Sequence, residues 1–243
     1  MANSELEHIS IIYIAVSIFC ALVTLVDIFK IGRRQAMGIM DAVWPLTMLY
    51  WGPIGLVAYA WFGRTKKPVK AAAHQKSSPP HHHHHEHTSG MSHGQAGKPM
   101  WQATFVGASH CGAGCALGDF IGDWFAFGIG LTIFGSALGG TYLFAFLSAY
   151  LFGILFQYFS VAPMQGLKLK AGLIAAVKID TLSLLAYEIG MFAWMGFRAW
   201  RFPDLRPDQW SYWFMMQIAM IIGFATTYPL NWWLIRKGIK EKM

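Results

Sequence analysis

The decapeptide His110-Cys111-Gly112-Ala113-Gly114-Cys115-Ala116-Leu117-Gly118-Asp119 puts an imidazole, two thiols and a carboxylate into one short run. Cys111, Cys115, Asp119 and Asp123 recur at every fourth position, a spacing that on a helix lines them up along one face. Thiolate and imidazole are ligands for copper(I) and zinc, whereas a plain packing helix would carry the same cysteines as inert core residues. A second set lies downstream, where Lys178, Asp180, Thr181, Ser183 and Glu188 interrupt an apolar run and Met191 and Met195 extend the Glu188 face. Carboxylates in series inside a membrane relay protons or accompany a cation. The bland alternative is a Lys178–Asp180 ion pair that only specifies packing. A third set, His81, His82, His83, His84, His85, His87 and His93, follows Pro79-Pro80. Neutral imidazoles in such tracts capture zinc, copper or nickel loosely; a His-rich spacer is the plainer reading.

The elements that must position these groups are membrane helices. The chain is 55% hydrophobic and 13% charged, too apolar for an ordinary soluble domain. Its net charge of +7 reads as positive-inside charge, because no basic patch interleaved with aromatics lies outside the apolar runs; nucleic acid is excluded. Three cysteines make no extracellular disulfide framework. The first ten residues hold no Lys or Arg, so the first apolar run is expected to be a retained span and not a cleaved signal. Spans of about 20 apolar residues fall near Ile9–Phe29, Met37–Phe62, Ser109–Phe134, Thr141–Ser160, Leu169–Trp200 and Trp210–Ile235. A kink is expected in the second, at Trp44-Pro45 and Gly52-Pro53. The expected organisation is an N-terminal hairpin (1–63), a disordered His-rich loop (64–99) and a four-helix core (100–243).

With six spans, the side holding both termini and the long loop carries twelve Lys and Arg against six opposite, which places both termini in the cytoplasm. Gly114, Gly118 and Gly122 form a small-xxx-small ladder that admits a close partner helix, expected to be the fifth span. Met215, Met216 and Met220 read as packing, Thr226, Thr227 and Asn231 as helix-to-helix hydrogen bonds, and Cys20 as core.

Three motifs, taken in order, resemble a family of bacterial integral-membrane proteins, domain of unknown function 4396. They are His110-Cys111-x-x-Gly114-Cys115-x-Leu117-Gly118-Asp119, then Asp180-Thr181-x-Ser183 with Glu188, and Tyr228-Pro229-x-Asn231-x-x-Leu234-Ile235-x-x-Gly238. The resemblance covers about Met100 onward and implies a bacterial plasma-membrane protein with a four-helix core. It assigns no substrate and no residue roles.

The sequence therefore predicts an all-α, polytopic membrane bundle of about six helices that handles or transports a soft or borderline metal ion, copper first and zinc next. His110, Cys111, Cys115, Asp119, Asp123, Asp180 and Glu188 are the expected intramembrane site, with the His loop collecting the ion. The rivals are a thiol oxidoreductase using Cys111 and Cys115, and a noncatalytic assembly factor gripping a partner membrane protein. Partners beyond the bilayer and the ion would be a second copy or another membrane protein.

Overall fold

The computed structural model describes residues 2–35, 37–65, 99–133, 135–165 and 168–240. It consists of α1 (Ala2–Phe29), α2 (Met40–Ala58) continued by a π-helical turn (Tyr59–Gly63), α3 (Met100–Ile129), α4 (Ala137–Gln165), α5 (Leu169–Arg201) and α6 (Trp210–Arg236). Among the described residues the only β pairing is the isolated bridge Ile133–Ser136, so the fold is all-α. Segments Ser4–Phe29, Ala137–Ser160 and Trp210–Arg236 are long and apolar enough to cross a membrane. The outer surface of the bundle is apolar: Ile12, Phe19, Leu151, Phe159 and Ile189 all point outward. A soluble protein rarely exposes apolar patches on this scale, and lipid is the solvent such a surface requires. This is a membrane protein. Helix α3 begins at Met100, earlier than the apolar run suggests, because Trp101 and Phe105 pack against Phe62.

Helix α2 reverses where a kink was expected. At Gly52 the backbone takes φ 52, ψ −128, a left-handed φ that favours glycine, and Pro53 opens the returning segment in a position suited to a first helical turn. The first arm starts beside the end of α1, and its tip lies half-way back along that helix. There Tyr13 Oη donates to Tyr50 O at 3.1 Å and Gln217 Nε2 donates to Leu49 O at 2.5 Å. These donors satisfy carbonyls that a helix end inside an apolar bundle would otherwise leave orphaned. The second arm returns to its starting level, where Arg64 Nε and Tyr59 Oη both donate to Asp27 Oδ2, at 3.0 and 2.9 Å. Trp44 on the first arm packs edge-on against Tyr59 and Phe62 on the second.

This reversal sets which chain ends share an end of the bundle. The start of α1 meets the start of α6, with Ser10 Oγ 3.5 Å from Ser211 Oγ. The starts of α3 and α5 and the finishes of α1, α4 and α6 gather at the other end: Trp101 stacks near Phe62, Tyr228 Oη donates to Trp101 O, and Ser160 contacts Met37. The first helix therefore begins at one end of the bundle and the last finishes at the other. The cause is α2, which does not run through to the opposite end of the bundle.

The glycine ladder packs against α4, not α5. A methyl group added at Gly114 would lie 2.9 Å from Gly153 Cα, and one at Gly122 would lie 2.7 Å from Ala145 Cα. One at Gly118 would collide with the Ala149 backbone. With α4 seated on the glycine face, the Cys/Asp face of α3 is free to turn toward α5 and α6.

Candidate functional site

A buried polar column runs along the α3–α5–α6 seam. At one end is a group the sequence does not advertise. After α6, Gly238 takes a left-handed φ of 69, Ile239 N and Lys240 N donate back to Leu234 O at 3.0 and 3.3 Å, and the chain folds over the helix end in the manner of a glycine C-cap. The turn sends Lys240 into the bundle. Its Nζ donates to Asp180 Oδ1 at 3.2 Å, Ser183 Oγ at 3.4 Å and Cys111 Sγ at 3.6 Å. Cys111 Sγ itself donates to Asp180 Oδ1 at 2.8 Å. Behind them Ser183 Oγ donates to Asn231 Oδ1, Asn231 Nδ2 donates to Thr227 Oγ1, and Thr227 Oγ1 donates to Ser183 O. Two of these, Ser183–Asn231 and Thr227–Ser183, together with Thr226 Oγ1 to Ala186 O, are the helix-to-helix bonds expected of α6. Burial works against the charge on Lys240, yet Cys111 and Asp180 outweigh it and hold its pKa above the ordinary lysine value. His110 is fully buried and edge-on to Phe156, whose main chain is in hydrogen-bonding reach of the ring.

Midway along the column stand Cys115, Asp119 and Glu188. All three are buried and within electrostatic reach of one another. Neither Asp119 oxygen has a hydrogen-bond partner, and Glu188 has the Cys115 thiol in hydrogen-bonding reach. Gly112 leaves room beside them for Tyr50 and Tyr187, whose hydroxyls would lie 2.6 and 3.1 Å from a methyl group there. Met191, Met195, Met216 and Met220 close the apolar wall around this stretch.

At the far end Tyr212 Oη donates to Asp123 Oδ2 at 2.6 Å. Arg198 lies over the Tyr212 ring at 4.6 Å and donates through Nη1 to Leu205 O at 3.0 Å. A cavity of about 410 Å³ opens here, lined by Thr141, Arg198, Arg206 and Tyr212 among apolar neighbours. Along α5 the distance from Asp180 to Arg198 is about 27 Å at 1.5 Å per residue, close to the roughly 30 Å of a bilayer's hydrocarbon core.

The structure thus brings Cys111 and Asp180 together, and Cys115, Asp119 and Glu188 together, as two separate groups with Asp123 in a third. It does not gather the seven candidates into one site. Among the described residues no set of three His, Cys, Asp or Glu side chains is arranged to hold a metal ion. The Lys178–Asp180 pair does not form, because Lys178 is exposed and Lys240 takes the carboxylate. Cys20, Cys111 and Cys115 are free thiols. Helix spacing sets Cβ atoms four residues apart at about 5–6 Å, beyond the roughly 3.5–4.5 Å of a disulfide, so a Cys111–Cys115 bond would require α3 to unwind. His81, His82, His83, His84, His85, His87 and His93 lie outside the described residues. Lys240, Tyr212 and Arg198 were missed as site residues. The signal for Lys240 was present in Arg236-Lys237-Gly238, a helix stop in which basic residues precede glycine.

The sequence model of a family described as "Domain of unknown function (DUF4396)" matches residues 100–240, from the first turn of α3 to Lys240. The chain belongs to the DUF4396 family. The DUF4396 region supplies every residue of the three polar groups, including the lysine that closes the column, while α1 and α2 lie outside it. No curated protein and no solved structure matches.

Proposed function

We propose that this DUF4396 protein is a membrane transporter that exchanges a soft or borderline metal cation for protons at the Asp119–Glu188–Cys115 centre. The observation that carries this reading is the pair of buried carboxylates at mid-column, with no basic side chain acting on either of them among the described residues and the Cys115 thiol in hydrogen-bonding reach of Glu188. Elsewhere in the column acid and base are matched. Asp180 faces Lys240, and Asp123 is held by Tyr212 with Arg198 in electrostatic reach. Asp119 and Glu188 have no such counter-charge, and an uncompensated buried carboxylate costs several kcal/mol. Two protons or one divalent cation balance the pair, and the Cys115 sulfur inclines it toward a thiophilic ion. This balance favours zinc over copper(I), which would leave one proton behind. No three ligands converge in the arrangement described, so loading the cation requires side chains to turn and the resting pair holds protons.

The same reading gives an orientation. The Lys240 end collects fifteen Lys and Arg: three between α1 and α2, six from Arg64 to Lys98, Lys168 and Lys170, and four from Arg236 onward. The Tyr212 end has three, Arg198, Arg201 and Arg206. On this reading the Lys240 end and the His-rich segment face the cytoplasm of a bacterium and the start of α1 faces outside the plasma membrane, and the charge asymmetry supports it.

The test is zinc(II) uptake into proteoliposomes with a pH dye inside, using protein lacking Gln75–Gly97 so that the histidines do not sequester the ion. Coupled zinc and proton movement, both abolished by Asp119→Asn/Glu188→Gln, is the expected result. Undiminished movement in the double variant would remove the carboxylate pair from the mechanism.

A further inference from the structure

The Lys240 ammonium sits where a free cation would sit. Its shell is Asp180 Oδ1, Ser183 Oγ and Cys111 Sγ at 3.2, 3.4 and 3.6 Å, and its side chain is 1% exposed. Two polar groups stand beside it. Asp180 Oδ2 has no hydrogen-bond partner, and His110, whose ring has only the Phe156 main chain in hydrogen-bonding reach among the described residues, is in electrostatic reach of Asp180 and Lys240. A buried ion pair that serves packing alone is stable when its remaining lone pairs are satisfied. This one keeps a carboxylate oxygen of Asp180 unused and has an imidazole in electrostatic reach. The ammonium also hangs on a short stretch of chain: α6 ends at Arg236, and among the described residues the Gly238 turn and main-chain bonds from residues 237 to 240 back to the helix end hold Lys240 in register.

We propose that Cys111, Asp180 and Ser183, joined by His110 once its ring turns toward them, form a second cation site at the Lys240 end of the column, which Lys240 Nζ fills as a tethered surrogate that an incoming soft or borderline metal ion displaces. The inference rests on the cation-exchange reading of the mid-column pair and adds the step by which cargo enters or leaves. Sulfur and imidazole donors select such an ion over sodium, magnesium or calcium. Charge balances on displacement. The departing ammonium removes one positive charge, so a monovalent ion leaves the site unchanged. A divalent ion does the same when the Cys111 thiol proton leaves with the ammonium to water at that end.

The test is maleimide alkylation of Cys111 in membranes, in full-length protein carrying Cys20→Ser and Cys115→Ser so that one thiol reports. In that parent, alkylation should be slow. Lys240→Gln should accelerate it at least about 10-fold, as expected when a local closure is lost. Zinc(II) in excess of the histidines should then slow it again, and Asp180→Asn/Lys240→Gln should stay reactive while losing the zinc protection. Equal rates in parent and Lys240→Gln, or zinc protection that persists in the double variant, would overturn the proposal. Should Lys240→Gln fail to fold, zinc is titrated against the residual alkylation of the parent: slowing supports displacement, and an unchanged rate overturns it. Asp119→Asn/Glu188→Gln abolishes transport in the reading above but leaves Cys111 alkylation and its zinc protection untouched, so failure of one reading is distinguishable from failure of the other.

Discussion

Replacing Gly118 by alanine tests whether α3 and α4 touch backbone to backbone. The added methyl group would meet Ala149 N and Cα and lie 2.6 Å from Ser148 C. Every one of these is a main-chain atom, so no side chain can rotate away. Ordinary contact needs about 3.5–4.0 Å, and the helices must therefore part by roughly 1 Å near their closest approach. Overpacking of this kind costs about 1–3 kcal/mol, against a gain of up to about 1 kcal/mol from replacing a helical glycine with alanine. The net expectation is a loss of about 0–2 kcal/mol, which places Gly118→Ala about 1–3 kcal/mol below a glycine-to-alanine change made in open space. Gly128 supplies the control within the same helix, since a methyl group there meets nothing within 4 Å. Gly128→Ala should be neutral or stabilising by up to about 1 kcal/mol. Reversible unfolding in mixed detergent micelles would measure both. A Gly118→Ala variant as stable as Gly128→Ala would refute the close α3–α4 contact, and with it the rotation of the Cys/Asp face toward α5 and α6.

Three further outcomes are expected. Single cysteines at Ser4 and Lys237 should label from opposite sides of sealed vesicles, and labelling from one side would disprove the reversal in α2. Asp180→Asn and Lys240→Met should each destabilise by about 3–5 kcal/mol, because each strands a buried charge. Their combination should cost far less than the sum in a double-mutant cycle, whereas additive losses would mean that the two groups are not paired. Tyr212→Phe removes the donor to Asp123 and should cost about 1–3 kcal/mol in the same unfolding assay; an unchanged midpoint would show that this hydrogen bond contributes nothing.

What the sequence revealed and concealed follows from the range of its signals. The stripe Cys111, Cys115, Asp119, Asp123 was legible because helical period alone places it on one face, and Glu188 because a lone carboxylate in an apolar run is costly. The reversal in α2 was not. Its two arms add up to a run as long as a single span, and hydropathy measures length without direction. Only the left-handed φ at Gly52 separates a return from a kink. The glycine ladder announced a close neighbour but carried no information on which helix it would be, and α4 took the place assigned to α5. The ion-pair alternative for Asp180 points to Lys178, two residues away, although its partner is Lys240, sixty residues further on. Proximity along the chain is a poor guide when one helical residue of a nearby pair faces out and the other faces in.

The reversal in α2 also bears on how such a chain could be assembled from parts. An ordinary two-span hairpin placed ahead of the DUF4396 region would leave its own starting end on the side from which α3 departs. Here the added unit contributes one full crossing and one excursion that turns back, so the chain still arrives at Met100 on the side where α4 and α6 finish. The unit is silent with respect to the handedness of the core in the membrane. It could be gained or lost without inverting α3 to α6, and what changes is the compartment in which the first residues of the protein are displayed.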